Sequence, residues 1–277
     1  MADILKLENI TKTYTRGGFL SPKTRVEALK GISFSIKEGG SLGLLGQSGC
    51  GKTTAAKIIL GLEEATSGHV IIEGRDISTL GRKELQRLRG KVQAVFQDPY
   101  SSLDPRMTIR QTLEEPFIIH GIKYNDAKLK KLLSVTGLAS KFLGRYPHEL
   151  SGGQRSRVAI ARALALEPRL LIADEPVSSL DVSIQAQILN LLKEVKKEYN
   201  LSLLFISHDF AVSNFLCDEA AVMYAGKIVE SGAVESLFKN PQNPHTKQLL
   251  DAVPPLARAV TAKNKPVKER KTKCSLK

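Results

Sequence analysis

Long apolar runs are missing from this sequence, and nowhere do the roughly 20 consecutive apolar residues of a membrane-spanning helix occur. The chain is therefore not expected to cross a bilayer by itself. Its start, Met1-Ala-Asp-Ile-Leu-Lys-Leu-Glu, lacks the basic opening, apolar centre and small-residue cleavage site of a secretory leader, and it alternates like a strand. Cysteine is scarce as well. Cys50, Cys217 and Cys274 lie far apart without metal-like spacing, which argues against a disulfide framework and fits a reducing compartment. No internal repeat is visible. What is present is the composition of a globular chain: 277 residues, 42% hydrophobic and 25% charged, enough for one large domain or two modest ones.

Acidic residues are outnumbered, 28 against 41 Lys and Arg, leaving a net charge of +13. Such an excess is the electrostatic footprint of phosphate-backbone binding. Its distribution argues otherwise: between Arg258 and Lys277 eight basic residues stand against Glu269 alone, so +7 of the excess sits in a tail. That tail suits a solvated extension, and it also suits contact with anionic lipid, RNA or an acidic partner.

Along the chain, residues 4–12, 28–36 and 70–73 read as short strands, punctuated by Gly39-Gly40 and Gly74. Residues 14–27, with Gly17-Gly18 and Pro22, read as a loop. An apolar strand at 41–45 leads into a glycine-rich turn and a helix over 53–62. Between Pro99 and Pro168 the pattern turns helical, with helices predicted over 108–119, 126–136 and 153–166. Strand and helix signals then alternate: strands at 170–173 and 201–207, a helix over 183–199, and a closing hairpin at 220–224 and 227–229. Wholly apolar strands alternating with helices imply a parallel sheet covered on both faces. Beyond Pro244 order is expected to fade.

Gly46-Gln47-Ser48-Gly49-Cys50-Gly51-Lys52-Thr53 fits the eight-position phosphate-loop pattern, between a buried strand and a helix. Glycines let successive backbone N–H groups face inward, where they and the helix N-terminus hold phosphate oxygens. Lys52 supplies positive charge for the β and γ phosphates, and the Thr53 hydroxyl is the expected Mg²⁺ ligand. Cys50, beside Lys52 and a helix start, fits either a redox-sensitive thiol or a small tolerated side chain.

A buried strand ends at Asp174-Glu175. Alone, adjacent acids at a strand end suit a solvated pair equally well. Behind a phosphate loop, Asp174 is placed to hold Mg²⁺ and Glu175 to polarise the attacking water. His208 follows the strand at 201–207, at the edge where parallel strands deliver functional groups, and suits a contact to the γ-phosphate or the lytic water. Gln97 ends the apolar strand 92–96 and can ligate metal or water through its amide oxygen.

A phosphate loop and an acidic strand end describe a very large population of NTPases. Leu150-Ser151-Gly152-Gly153-Gln154 narrows it, because two glycines after a serine at a helix start form a second anion-binding nest. One chain thus owns two phosphate-binding ends. With these motifs in order, the chain resembles the nucleotide-binding subunit of ATP-binding-cassette (ABC) transporters. The resemblance implies an α/β fold: a P-loop NTPase (RecA-like) core with an antiparallel β subdomain and a helical subdomain. It places the β subdomain and first part of the core at 1–96, the helical subdomain with the signature at 97–160, the second part of the core at 161–240, and a C-terminal extension at 241–277. It implies that Tyr14 stacks on adenine, that Gly46 to Thr54 with Lys52, Thr53 and Thr54 hold ATP, and that Gln97 is the Q-loop residue. Ser151, Gly152, Gly153 and Gln154 match the signature, Asp174 and Glu175 the metal and water residues, Ser179-Leu180-Asp181 the D-loop, and His208 the switch histidine. The cofactors implied are ATP and Mg²⁺. The partners implied are a second cassette, identical or paralogous, whose signature closes over this chain's ATP, together with membrane permease subunits and, indirectly, an extracytoplasmic substrate-binding protein. No nucleic acid is expected, and the implied location is the cytoplasmic face of the cell membrane.

A narrower resemblance joins the chain to the oligopeptide, dipeptide and nickel importer branch. It rests on Val95 to Arg106 (VFQDPYSSLDPR), Tyr146-Pro147-His148-Glu149, the run from Glu175 to Ser183, and Asn243-Pro244-His245-Thr246-Lys247 with Leu249-Leu250. It implies uptake of peptides, or alternatively of nickel or another small solute, with a coupling helix of the membrane subunit docking on the helical insertion and the stretch after Gln97. Ser156 departs from the second glutamine of many relatives and Thr53 from the commoner serine. Only Cys274 is present in the tail, so no iron–sulfur centre is expected there. A soluble cassette protein acting on nucleic acid or ribosomes is the other reading, supported by the basic tail alone.

Overall fold

The computed structural model describes residues 2–16, 24–96, 102–178 and 180–252. Gln97, Ser179, the centre of the 14–27 segment and the basic tail lie outside these described residues.

Two sheets form the frame. Strands β1 (Asp3–Arg16), β2 (Thr24–Lys37), β4 (Ser67–Ile72) and β5 (Arg75–Asp76) make an antiparallel sheet in the order β2-β1-β4-β5. The second sheet runs β10-β9-β3-β8-β7-β6, from β3 (Ser41–Leu45), β6 (Val92–Val95), β7 (Leu170–Asp174), β8 (Ser202–Ser207), β9 (Glu219–Tyr224) and β10 (Lys227–Ala233). Its members pair in parallel except for the β9–β10 hairpin.

Every residue of β3, β7 and β8 is buried, as a sheet covered on both faces requires. Side chains alternate between two cores: Leu171, Ala173, Leu203 and Phe205 enter one, and Leu170, Ile172, Leu204 and Ile206 enter the other. The first core is completed by helices α3 (Ile109–His120), α4 (Asp126–Val135), α5 (Gly152–Leu164) and α6 (Val182–Glu198). The second is completed by α1 (Lys52–Ile59) and the antiparallel sheet. These registers align strand ends: Leu45 is opposite Ser207, and Asp174 is opposite Ile206. The phosphate loop, Asp174-Glu175 and His208 therefore leave the sheet at one edge.

The expected α/β class holds, with four local corrections. Residues 14–27 do not form one loop: Tyr14 pairs with Val26 and Thr15 with Arg25, because the β-branched run of Thr11, Thr13, Thr15 and Val26 prolongs both strands. Order does not fade at Pro244 but runs on to Asp251, because Asn243 caps a helix α9 (Pro244–Asp251), with Pro244 at its first turn, that buries Leu250. Helix α2 (Arg82–Lys91) was not expected, since RKELQRLRGK offers only Leu85 and Leu88 as large apolar residues and buries only Leu88. The short helices α7 (Phe210–Leu216) and α8 (Val234–Lys239) also escape a sequence reading, being under two turns long.

Candidate functional site

The phosphate loop is shaped by close approach. A side chain on Gly46 would bring its Cβ to 2.3 Å from the Met223 carbonyl, and one on Gly51, at φ 111°, to 2.6 Å from the Ala28 carbonyl. Only glycine fits either place. Buried Lys52 donates from Nζ to the carbonyl oxygens of Gly46 (2.7 Å) and Gln47 (3.0 Å), so its ammonium sits inside the loop it serves. Cys50 is buried at 3.9 Å from that ammonium. Burial raises its thiol pKa despite the opposing pull of Lys52, which disfavours the reactive-thiolate reading and fits the small tolerated side chain.

Across the sheet edge, burial raises the Asp174 carboxyl above the usual range, and neighbouring Glu175 adds to this, while the Thr53 hydroxyl and Lys52 oppose it. Thr53 thus lies against Asp174, one hydroxyl and one carboxylate at the mouth of the phosphate loop. That pair is hard and oxygen-only, the donor chemistry that Mg²⁺ takes with phosphate oxygens and water. Glu175 adopts the left-handed region at φ 47° while its N–H donates to the Ile206 carbonyl at 3.0 Å. For a non-glycine residue this conformation costs on the order of 1 kcal/mol and tends to persist where function requires it. It turns the side chain towards His208, whose Nδ1 lies 3.4 Å from Glu175 Oε1. The glutamate side chain is 14% exposed and the histidine 57%, so the acid is sheltered and the imidazole open to a ligand.

Tyr14 sits on the antiparallel sheet beside the start of α1. Its hydroxyl donates to Glu63, and both that contact and the nearby Thr54 hydroxyl act on its pKa, which burial raises. The Lys12 ammonium lies 5.0 Å from the ring centroid. Glu63 was not singled out by the sequence, since its partner is 49 residues away and no motif links them.

The signature segment forms a second nest. Ser151 caps α5, its hydroxyl accepting the Gln154 N–H at 3.3 Å while the Gln154 amide oxygen accepts the Ser151 N–H at 3.0 Å. A Cβ on Gly153 would lie 2.6 Å from Ile184 Cγ2, so this nest leans on the start of α6. Asp181 caps that helix, accepting the Ile184 N–H at 3.0 Å, and these bonds lower its pKa. Gly46 and Gly51 border on Ala28, Leu29 and Met223, whereas Gly152 and Gly153 border on Leu180 and Ile184. The two nests occupy separate surroundings.

The structure thus brings Lys52, Thr53, Asp174, Glu175 and His208 to one edge, with Tyr14 beside Thr54, and keeps Ser151 to Gln154 with Asp181 apart from them. Gln97 and residues 98–101 are outside the described residues; the described chain resumes at Ser102. The Arg162 guanidinium donates to the Ser102 carbonyl at 2.8 Å and pairs with Glu115 at 2.9 Å, tying Ser102 to α3 and α5. Asp104 accepts Arg106 through both its N–H and guanidinium, which pulls the carboxyl pKa down to about 2.

The sequence matches the ABC transporter family over residues 29–178. The chain belongs to that family. It is 47% identical over 257 residues to the oligopeptide transport ATP-binding protein AppF of Bacillus subtilis, covering 91% of this chain and 78% of that one. With OppF of the same organism the identity is 46%, over 85% and 79% of the two chains. The glutathione import ATP-binding protein GsiA of Salmonella choleraesuis is 47% identical over 88% of this chain, which spans only 40% of that protein. Among solved structures, the ATP-binding cassette MJ0796, in a dimeric post-hydrolysis state bound to ADP and Pi, superposes with a TM-score of 0.73 and 33% identity over 83% of this chain and 98% of its own. The cassette described here is accordingly an ATPase of the ABC transporter type, in the branch of oligopeptide importers. Among the described residues, no helix is long and apolar enough to cross a membrane.

Proposed function

We propose that this cassette drives uptake of peptides through separate membrane subunits, to which it binds from the cytoplasmic side, and that it hydrolyses ATP only when a second cassette, identical or paralogous, closes over the nucleotide. The observation that carries this reading is the separation of the two nests: the phosphate loop and the Ser151 nest each begin a helix and lean on different neighbours. A nucleotide held by Lys52 therefore lacks a lid from the same signature.

In this reading Tyr14 stacks on adenine, with its hydroxyl fixed by Glu63. Backbone N–H groups of residues 46–54 and the Lys52 ammonium hold the phosphates. Thr53, Asp174 and Gln97 hold Mg²⁺, which when bound neutralises phosphate charge. Glu175 orients and polarises the attacking water, and His208 keeps the γ-phosphate in line with it. Ser151, Gly152, Gly153 and Gln154 of the companion cassette complete the cage, with Asp181 holding the adjoining turn.

The membrane subunit has a natural seat. A cleft of about 440 Å³ opens between the ATP-binding core and the helices, lined by Leu62, Arg89, Phe96, Pro116, Ile119 and Arg162 among others. Leu62 and Ile119 are 60% and 57% exposed there, with Ile118 next in the chain 65% exposed, an apolar surface that suits a short helix of a permease. Docking at this place would reach the Arg162 bridge and hence the signature helix, which connects transport to closure. The decisive experiment is purification of the cassette with its membrane subunits, reconstitution, and ATPase assay with a peptide-loaded capture protein. Stimulation by peptide supports the proposal; stimulation by nickel instead moves the substrate to the other arm of the branch, and absence of membrane subunits from the purified complex contradicts it.

A further inference from the structure

The segment Asn243-Pro244-His245-Thr246 has no part in the site described above, yet the fold carries it to the back of the phosphate loop. Helix α9 is anchored twice. The Glu230 carboxylate on β10 accepts the N–H groups of Gln242 (2.9 Å) and Asn243 (3.1 Å), and the Asn243 side chain caps the helix by accepting the His245 N–H at 2.9 Å. Leu250 is buried in the same cluster as Leu45, the residue immediately before Gly46.

So held, the His245 ring stacks on Tyr224, with centroids 3.5 Å apart and planes 14° from parallel. Tyr224 lies between two points of contact with the phosphate loop. The Met223 carbonyl before it fills the space that a Gly46 side chain would need, and the Gly226 N–H after it donates to the Cys50 carbonyl at 3.1 Å. The Gly226 carbonyl in turn accepts the Lys30 N–H at 2.8 Å, tying the same turn to the antiparallel sheet. Tyr224 itself is 41% exposed and belongs to no core cluster, so its ring is held by His245, while the turn's backbone is held by buried Met223, the β9–β10 pairing and the Gly226 bonds.

We propose that His245 is a positioning residue for nucleotide binding: by stacking on Tyr224 it braces the 223–226 turn against residues 46–50 and holds the phosphate loop in its binding shape. An aromatic pair contributes enough to change a binding constant by about two- to tenfold. This inference rests on the phosphate-loop reading, but it has a consequence independent of ATP. Cys50 is buried behind the braced turn, while Cys217 is buried beneath α7, away from it, and serves as an internal reference.

The test uses the full chain with His245→Ala and His245→Phe. Maleimide labelling, followed site by site by peptide mass mapping, reports the exposure of Cys50 and Cys217; titration with a trinitrophenyl ATP analogue reports affinity. Expected for His245→Ala are labelling of Cys50 accelerated about two- to tenfold with Cys217 unchanged, and binding weakened by a similar factor. His245→Phe keeps a flat ring and should match the native chain in both. The proposal is overturned if Cys50 and Cys217 accelerate together, which marks general loosening, if neither changes, or if Phe fails as Ala does. Should the native chain not bind the analogue, the phosphate-loop reading fails by itself, and the labelling ratio still decides whether the brace exists.

Discussion

Glu175 and Asp174 are neighbours with opposite demands. Glu175 is turned by its left-handed backbone towards His208, and its loss should remove the polarised water without disturbing the phosphate cradle. Glu175→Gln is expected to slow hydrolysis by at least about 100-fold while ATP still binds, as measured by single-turnover assay and equilibrium titration. Turnover at the native rate would contradict the role. For Asp174 the folded pKa is raised by burial, so its contribution to stability is greatest below the ordinary carboxylate range and is lost as pH rises through the folded value. Ionising the buried carboxylate therefore works against the empty fold. Asp174→Asn should therefore raise the melting temperature of the nucleotide-free chain and abolish the further rise produced by ATP with Mg²⁺. A lower melting temperature in the empty chain would show that Asp174 is held by partners rather than strained by burial.

Helix starts carry most of the chemistry at the next scale, and their caps were partly legible in the sequence. Ser151 with Gln154 spells a capping box, and the observed bonds close it in both directions. Two roles meet in that serine, the observed cap and the proposed hydrogen-bond contact to phosphate, and they separate by substitution. Ser151→Ala should cost about 1 kcal/mol of stability in denaturant unfolding. Ser151→Asp keeps a good cap, so stability should stay near native, yet ATPase activity should fall because a carboxylate repels the γ-phosphate. Equal activity of Ser151→Asp and the native chain would limit Ser151 to capping. The buried parallel strands at 41–45, 170–174 and 202–207 were readable because wholly apolar runs have few alternatives. Helix α2 was not, since its exposed face is polar and mostly charged and it buries Leu88 alone. The Tyr14 strand was hidden by the turn residues that follow it. The bracing of the phosphate loop by Met223 and Gly226, and the hold of Glu63 on Tyr14, depend on contacts remote in sequence that no local pattern records.

At the scale of the molecule, the proposed reading makes the two nests on one chain halves of two sites. The described fold fixes them on different supports, the first between the two sheets and the second on the helices. The Arg162 link to Ser102 and Glu115 lines the apolar cleft, and in the proposed reading a membrane subunit pressing there would alter the angle at which the signature is offered to a companion. Substitution of Arg162 by Ala should leave ATP binding within about twofold of native but weaken the stimulation of hydrolysis by the transport complex, because the residue touches neither nest. The most direct measurement is the mass of the Glu175→Gln chain in solution with ATP and Mg²⁺, by sedimentation, alone and after co-expression with the companion cassette of its transporter. A nucleotide-dependent assembly of two cassettes is expected, twice 30.3 kDa or one copy of 30.3 kDa joined to its paralogue. A single 30.3 kDa chain that retains bound ATP under both conditions would contradict the shared site.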